Sequence, residues 1–580
     1  MDTPAKMEGA VLVRNLSVVV GSGNDRKAIL RNISIAIPQG SFLSIIGESG
    51  SGKSVLIRTL AGIQPVSQGS VLLAGHPVET LRDQLPLAVG YLPKVGAFHE
   101  DLTVAEILDF AMALRLPRSV PRATRDQWCE HVIDLARIRP FLHQKYRTLS
   151  GGQMRRIAMA EELVGDPAFL FLDEMTTGLD PYSEHEMMVW LKELAHGLNK
   201  TIVLITHTAR NLRLCDSVIF LHEGQLCFHG TYDELLQHHG TSSIEAIFGG
   251  YHEASTAGTF AGFDADRSAE LPAPPDPRSL NTAPPPGSLS QLLTLLRRQY
   301  VLLARDKGQL GLNLSLLITF PLLVVIFALT GLPQVHAMAA TNLLQHRTEL
   351  DIIQSGIAEL KSMKDSFSTA LLVSGLTMFQ VILLTLMGAN NGAREIAKER
   401  DVLEKELRSG LSPWAYVTTK SLLITCLCLV QALCMTWFVK TICHFPGPLS
   451  HQIAILFATD MAMSMVCLAI SSVSKSPERA SLLANFLVGL QLPLSGVVLA
   501  LPQFVGFVCR PFIVAYWGWS GYLKTFAANP DYEIVRQSTD TYITDFRTCL
   551  LVLAVHVVVG AMIAWIFVTR MRSSQKSIQN

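Results

Sequence analysis

Two glycine-rich segments of the sequence have the composition of phosphate-binding loops. The first, GESGSGKS, matches the pattern GxxxxGK[ST], follows the apolar run FLSIIG and precedes the helical run SVLIRTLAG. In such a loop backbone amides surround the β-phosphate, the lysine reaches the β- and γ-oxygens, and the final serine ligates Mg²⁺. A chance glycine-rich turn would not need this strand–loop–helix setting. We therefore expect ATP to be bound by Gly47, Glu48, Ser49, Gly50, Ser51, Gly52, Lys53 and Ser54.

Three further side chains suited to phosphate chemistry follow buried strands. FLFLDE ends in Asp173, which suits Mg²⁺, and in Glu174, which suits polarisation of an attacking water. The run TIVLITH ends in His207, which can touch a γ-phosphate. Ligands bind at the carboxyl ends of parallel strands, so these positions favour a catalytic role over a structural one.

The second glycine-rich segment is LSGGQ, at 149–153, and it opens the helical run GGQMRRIAMAEEL. With the segments in this order the sequence resembles ATP-binding cassette transporters. Residues 47–54 resemble Walker A, 149–153 the signature sequence, 169–174 Walker B and 178–180 the D-loop, and His207 resembles the switch histidine. The resemblance implies that two cassettes meet head to tail and that the signature segment of one chain closes over ATP on the other. The residues so implied at the composite site are Ser150, Gly151, Gly152, Gln153 and Asp180.

Two positions depart from the family pattern. GYLPKVG has Lys94 where the family has glutamine, and no aromatic residue stands near Val18 to Val20, where the family often stacks adenine. Lysine cannot accept a hydrogen bond from water or ligate Mg²⁺. Lys94 can instead pair with phosphate or with a glutamate of the membrane domain. We expect it to lower turnover without abolishing it.

Composition narrows the class of protein. The 580 residues include 48 Lys plus Arg and 48 Asp plus Glu, so the chain has no net positive charge that would favour binding to nucleic acid. The ten cysteines form no CxxC pair, which indicates reduced thiols and argues against a metal site. The amino terminus has no secretory signal pattern, so we expect the nucleotide-binding domain in the cytosol.

The chain is predicted to have an α/β P-loop nucleotide-binding domain with a helical subdomain at 1–250, a Pro/Gly/Ala-rich linker at 251–290 and an all-α six-helix transmembrane domain at 291–580. Lys and Arg lie mostly on the same side of these spans as the soluble domain, which sets the orientation of the spans. The chain is expected to be a multi-pass protein of the plasma or bacterial inner membrane. The spans are expected near 309–332, 367–389, 416–438, 452–473, 480–501 and 549–569.

The order of the two halves resembles the G (white-type) subfamily and bacterial relatives with an ABC-2-type permease. The charged run at 394–408 predicts an amphipathic coupling helix on the cassette, with a solvated loop as the alternative. The segment 333–366 predicts an outer amphipathic helix, packed on its own membrane domain or on a dimer mate. Asp460 and His556 fall inside spans, either in the transport path or in structural polar contacts. The resemblance suggests a substrate cavity lined by Phe379, Gln380, Asn485 and Gln491, and an outer segment with Trp517, Trp519 and Tyr522 at interface depth.

These features predict a homo- or heterodimeric half-transporter, an ATPase that exports or flops a hydrophobic or amphipathic compound, with ATP and Mg²⁺ as cofactors and membrane lipids around it. The alternative is a membrane regulator or mechanotransmitter that binds ATP without transport. Glu174, Ser150 and His207 favour the transporter, whereas Lys94 favours the regulator.

Overall fold

A computed structural model describes residues 9–329, apart from 22–25, 95, 118, 209, 242, 245 and 248–284, and residues 351–573, apart from 444, 498–500, 528–530 and 540. The chain forms two compact units. The first, here the cassette unit, comprises Met1–Thr294, Asp401–Ser412 and Met571–Asn580. The second, the membrane unit, comprises Leu295–Arg400 and Pro413–Arg570. Most of the predicted linker lies outside the described residues.

The cassette unit contains two sheets. The six-stranded sheet has the order β10-β9-β3-β8-β7-β6; its pairs are parallel except β10 with β9, and the four-stranded sheet β2-β1-β4-β5 is antiparallel. β3, β7 and β8 are buried along their whole length, as continuous apolar runs predict for strands covered on both faces. The strands are β1 (Gly9–Val20), β2 (Lys27–Pro38), β3 (Phe42–Ile46), β4 (Gln68–Leu73), β5 (His76–Pro77), β6 (Val89–Leu92), β7 (Phe169–Leu172), β8 (Thr201–Ile205), β9 (Ser217–His222) and β10 (Gln225–Gly230).

Helices connect these strands and form a separate helical part between β6 and β7. The helix that follows the first glycine-rich loop packs against β7 and β8, so the ends of these strands lie beside that loop. The helices are α1 (Lys53–Leu60), α2 (Val78–Gln84), α3 (Val104–Arg115), α4 (Arg122–Leu135), α5 (Gly151–Leu163), α6 (Pro181–Gly197) and α7 (Tyr232–His238).

The rest of the described chain is helical. Besides short 3₁₀ turns, it contains α8 (Ser288–Arg305), α9 (Lys307–Ala328), α10 (Asp351–Gly392), α11 (Arg400–Arg408), α12 (Pro413–Cys443), α13 (Leu449–Val473), α14 (Pro477–Leu494), α15 (Gln503–Cys509), α16 (Val514–Lys524), α17 (Asp531–Ser538) and α18 (Phe546–Ser573).

Five helices of the described residues are long and apolar enough to cross a membrane. They are α9, the apolar part of α10, α12, α13 and α18, and they correspond to five of the six predicted spans. The remaining predicted span, 480–501, overlaps α14, an 18-residue helix that begins with Pro477 and Glu478. Part of the predicted outer segment, 351–366, continues α10, and 333–350 lie outside the described residues.

Ion pairs on the membrane unit join α12 to the residues that precede α11. Lys420 Nζ lies 2.8 Å from Glu399 Oε1 and 3.0 Å from Glu395 Oε2, and its side chain is only 3% exposed. Tyr416 also donates a hydrogen bond to Glu399, over 2.5 Å. A buried charge without a partner is unfavourable, so these ion pairs favour a single position of the residues before α11 relative to α12.

Candidate nucleotide site

The first glycine-rich loop is shaped to admit phosphate close to its backbone. Gly52 has φ +99° and precedes α1, and a Cβ at this position would lie 2.8 Å from Leu30 Cδ2. Gly50 has φ +86° and open space around it. Only glycine adopts these angles at low cost, so the turn needs the glycines that the motif supplies. The loop can therefore expose consecutive amides at the amino end of α1.

Lys53 lies at the centre of this loop. Its Nζ donates hydrogen bonds to Gly47 O over 2.8 Å and to Glu48 O over 2.6 Å. Burial lowers the pKa of Lys53, although Glu174, Asp173 and Glu48 act in the opposite direction. The ammonium is thus held over the loop, within a cradle that suits a phosphate.

Ser54 and Asp173 provide adjacent oxygens. Ser54 Oγ donates to Asp173 Oδ1 over 3.1 Å, and Tyr91 OH donates to Asp173 Oδ2 over 3.4 Å. Burial raises the pKa of Asp173, and the hydrogen bond from Ser54 partly offsets this effect. A hydroxyl beside a carboxylate suits Mg²⁺, which prefers oxygen ligands, so the residues present fit the cation.

Glu174 is held between two nitrogen groups. Lys94 Nζ forms an ion pair with Glu174 Oε2 at 2.6 Å, and His207 Nε2 lies 2.9 Å from Glu174 Oε1. Burial acts to raise the pKa of Glu174, but the hydrogen bonds and charges of Lys94 and His207 outweigh it, so the pKa is lowered. Both oxygens of the predicted base are therefore occupied.

The pairing of Lys94 differs from one sequence-based alternative. Its carboxylate partner is Glu174 of its own cassette, at the end of β7, and not a glutamate of the membrane domain. Glu174 itself has φ +56°, in the left-handed region that non-glycine residues seldom occupy. Strain of this kind persists where the surroundings over-determine the conformation.

The signature segment caps a helix in the structure. Ser150 precedes α5, its hydroxyl accepts from Gln153 N over 3.4 Å, and Gln153 Oε1 accepts from Ser150 N over 2.8 Å. Gly151 lies in open space in the described structure, which leaves this helix end accessible. Asp180 caps α6 by accepting from Tyr182 N and Ser183 N over 3.1 and 3.0 Å. The structure does not bring Asp180 into hydrogen-bond contact with the Glu174 group within the described residues.

Residues 401–412, which include most of the predicted coupling helix α11, belong to the cassette unit. Lys405 forms an ion pair with Glu161 and lies 4.0 Å from the ring centroid of Phe98. Arg115 NH2 lies 3.2 Å from one oxygen each of Glu161 and Glu162. Glu161 and Glu162 belong to α5, which the signature segment opens, and Phe98 lies four residues after Lys94. α11 thus contacts α5, the helix that the signature segment opens, and the segment that follows Lys94.

Arg408 links α11 to the predicted magnesium ligand. Its guanidinium carbon lies 5.8 Å from the ring centroid of Tyr91, whose hydroxyl donates to Asp173. Burial raises the pKa of Tyr91 to about 12, with a further contribution from Asp173. Tyr91 therefore stays neutral and keeps its proton for this hydrogen bond.

The sequence motifs did not identify Tyr91, Phe98 or Arg115 as part of the site. Tyr91 is the penultimate residue of β6, three residues before Lys94, and only the pairing of β6 with β7 shows that it reaches Asp173. Arg115 lies at the end of α3, which packs against α5. The charge run 394–408 was the one signal that pointed to a partner on the cassette.

The predicted cavity residues differ in exposure. Gln380 is buried, and Gln491 Oε1 accepts from Ala515 N over 3.0 Å, whereas Asn485 is exposed. Phe379 packs edge-to-face on Phe327, with ring centroids 5.2 Å apart. The structure therefore does not gather these four side chains by direct hydrogen bonds within the described residues.

The three aromatic residues predicted at interface depth lie on α16. Trp519 and Tyr522 are fully buried in the core of the membrane unit, and Trp517 is half-buried. His556 Nδ1 lies 2.8 Å from Val552 O, one turn earlier on its own helix. The histidine therefore has the local structural contact that was one of its two expected roles.

Residues 30–177 match the ABC transporter family, and residues 290–519 match the ABC-2 type transporter family. The ABC transporter ATP-binding/permease protein Rv1747 of Mycobacterium tuberculosis is 28% identical over 483 residues, which cover 81% of this chain and 52% of that protein. Protein scarlet of Drosophila melanogaster is 35% identical over 258 residues, which cover 41% of this chain and 38% of that protein. This chain therefore spans about half the length of the mycobacterial relative and less of the insect one.

A solved structure of cbiO1 from Clostridium perfringens, part of the ABC transporter complex cbiONQ, is 26% identical over 40% of this chain and 91% of that chain, with a TM-score of 0.35. One family match falls in each half of the chain: the first glycine-rich loop lies within the first match, and four of the five membrane-capable helices of the described residues lie within the second. The chain therefore belongs to the ABC transporters, with an ABC ATPase domain followed by an ABC-2 type transporter domain of a membrane protein.

Proposed function

We propose that the protein is a half-transporter whose dimer uses ATP to export or flop a hydrophobic or amphipathic compound. The observation that carries the proposal is the grouping of Lys53, Ser54, Asp173 and Glu174 in one cassette unit that also contains residues 401–412 of the coupling segment. A nucleotide site and a segment of the membrane-domain sequence thus share one compact body. This arrangement supports conversion of nucleotide-dependent motion into movement of helices.

We infer distinct roles for the residues of the site. Lys53 and the loop amides bind the β- and γ-phosphates, and Ser54 and Asp173 hold Mg²⁺. Mg²⁺ neutralises charge on the phosphates when it is bound. Glu174 polarises the attacking water once its carboxylate is released, and His207 holds the opposite carboxylate oxygen.

The signature segment completes the site from the second chain in this proposal. Ser150, Gly151 and Gly152 lie at the amino end of α5, where amides and the helix dipole attract phosphate. ATP then joins the two cassettes, and hydrolysis removes the joining contact. Asp180 lies near that interface by resemblance to the D-loop.

Lys405 and Arg408 connect this motion to the membrane helices. The two side chains contact α5 and Tyr91, respectively, so movement of either segment displaces α11. The cassette faces the cytosol in this proposal, with a hydrophobic small molecule or lipid as the substrate class.

A complementation experiment tests the composite site. Lys53→Met disables the loop and Ser150→Asp places a charge opposite the γ-phosphate, so each variant alone is expected to lose ATP hydrolysis in proteoliposomes. In a mixed dimer, one site combines the intact loop of one chain with the intact signature of the other. We therefore expect recovery of vanadate-trapped nucleotide at that single site.

The amount of nucleotide trapped in the mixed dimer distinguishes composite sites, shared by two chains, from sites formed within one chain. Trapping in the mixed dimer no greater than in either single variant would refute composite sites. Movement of a fluorescent lipid or a panel compound that requires ATP and is lost in Glu174→Gln would support export. Hydrolysis by wild type with no compound moved and no compound stimulating it would favour the regulator instead.

A further inference from the structure

A carboxyl group lies near the middle of a membrane-capable helix. Asp460 belongs to α13, Leu449–Val473, which has 25 residues. With the rise of an α-helix, it lies about 16 Å from the start of this helix. That distance is roughly half of a hydrocarbon core of about 30 Å. Asp460 therefore sits far from either membrane surface along its helix.

The carboxyl group is fully enclosed. Asp460 has 0% relative exposure, and neither Oδ1 nor Oδ2 has a hydrogen-bond partner of normal geometry in the described part of the chain. Most buried polar groups in proteins are hydrogen-bonded, so this group needs an explanation.

Close helix packing builds this enclosure. A Cβ at Gly388 of α10 would lie 2.7 Å from Asp460 O and 2.9 Å from Asp460 Oδ1. One turn later, a Cβ at Gly392 would lie 2.2 Å from Ser464 O. The two glycines form the sequence GANNG, whose small-xxx-small spacing permits close approach of helices in membranes. The backbone of α10 therefore covers the carboxyl group directly.

Neutral polar side chains lie beside the acid. Asn391 Nδ2 donates to Gln431 Oε1 over 2.7 Å, and Cys428 Sγ lies 3.3 Å from Ser464 Oγ. These four residues join α10, α12 and α13 one turn from Asp460. They satisfy one another and supply no positive charge.

No cation compensates a negative charge at this position among the described residues. The helices packed on α13 include α10, α12, α14 and α16, and also α18, where a Cβ at Gly560 would lie 2.6 Å from Met465 O. Among the titratable and charged groups of these helices, the Cys428 thiol is the one that interacts with the Asp460 carboxyl group. An unpaired carboxylate in a membrane interior is costly, and the group avoids this cost by binding a proton.

We propose that Asp460 is a proton-exchange site of the membrane unit. The carboxylic acid keeps its proton while α10 and α13 are in contact, and it loses the proton to water when these helices separate during transport. The O–H bond breaks, the carboxylate keeps the electron pair, and water accepts the proton. The protonation step stands on the geometry alone, whereas the exchange step rests on the proposed transport cycle.

Infrared difference spectroscopy of the full chain in lipid nanodiscs tests the proposal. In alkaline buffer, exposed carboxyls of ordinary pKa are ionised and give no carbonyl band of a protonated acid. We expect nucleotide-free wild type to show this band and Asp460→Asn to lack it. Asp545→Asn, which removes an exposed aspartate at the start of α18, should leave the band unchanged. If Asp460→Asn does not fold, ¹³C labelling of aspartate carboxyls in wild type should shift the same band.

Trapping with ATP and vanadate tests the exchange. We expect the band to disappear from trapped wild type in alkaline buffer and to return in acidic buffer. Absence of the band in nucleotide-free protein would overturn the proposal. An identical band with and without trapping would show a purely structural acid and would overturn the exchange. Bound nucleotide is measured on the same sample, so failure to trap counts against the proposed transport cycle, and the nucleotide-free comparison still decides protonation.

Discussion

Replacement of Lys94 by glutamine should raise ATP hydrolysis. Lys94 and His207 each contact one oxygen of Glu174, so an attacking water competes with them for the lone pairs of this carboxylate. Glutamine removes the charge that holds Oε2 and can accept a hydrogen bond from water, which lysine cannot. The predicted change is therefore a gain of turnover.

The exposure of the pair sets the size of this gain. The Lys94 side chain is 61% exposed and that of Glu174 is 13% exposed, so solvent screens the ion pair. Exposed pairs of this kind contribute about 0.2–1 kcal/mol. Release of a pair worth about 1 kcal/mol raises a rate roughly five-fold, because 1.36 kcal/mol corresponds to a factor of ten. We therefore expect kcat to rise by about 1.4- to five-fold.

The assay is steady-state phosphate release by purified protein in nanodiscs at saturating ATP and Mg²⁺. Lys145→Gln is the matched control, since this lysine pairs with Asp101 at 3.9 Å and does not contact Glu174. Its rate should equal that of wild type. An unchanged or reduced kcat in Lys94→Gln, with nucleotide binding intact, would refute the reasoning and point to a role of Lys94 on phosphate.

Four other predictions test the same structure. The acid limb of the pH–rate profile reports ionisation of the base; Lys94 lowers the pKa of Glu174, so Lys94→Gln should move this limb to higher pH, and a limb that stays in place would contradict the assignment. Glu174→Gln should retain ATP binding and reduce hydrolysis by about 10²-fold or more, as measured by phosphate release, and near-normal turnover would exclude Glu174 as the base. Lys405→Met leaves two buried carboxylates with Arg115 as their remaining ion-pair partner; because loss of one partner of a buried pair costs about 3–5 kcal/mol, the unfolding temperature of the full chain should fall, whereas Lys398→Met, at a lysine 70% exposed, should leave it unchanged. Gly392→Ala places a methyl group where Ser464 O lies 2.2 Å away and should lower the unfolding temperature, whereas Gly375→Ala on the same helix meets open space and should not; equal effects would contradict the close packing of α10 on α13.

The secondary structure that positions the nucleotide motifs could be predicted well. The buried runs FLSII, FLFL and TIVLI form β3, β7 and β8, because strands covered on both faces must be apolar throughout. The charged run 394–408 forms α11 and its preceding turn. The extent of α14 was harder to predict, since an apolar run of this length fits a span, a shorter helix or a turn equally well.

Motifs made of consecutive residues were determined by the sequence alone. The glycines and Lys53 of the first loop, the LSGGQ segment and the acids after β7 act through neighbours within a few positions, and local backbone chemistry is enough to predict them. Their order along the chain was also enough to predict an ABC ATPase domain ahead of the membrane helices.

Contacts between distant parts of the chain were decided only by the tertiary structure. Lys94 meets Glu174 because β6 pairs with β7, and Asp460 lies against Gly388 because two helices approach through glycines. A sequence shows that lysine and aspartate can carry a charge, but the partner and the solvent access of each side chain depend on packing. Partner and solvent access decide whether the side chain stays charged in water, forms an ion pair or becomes neutral.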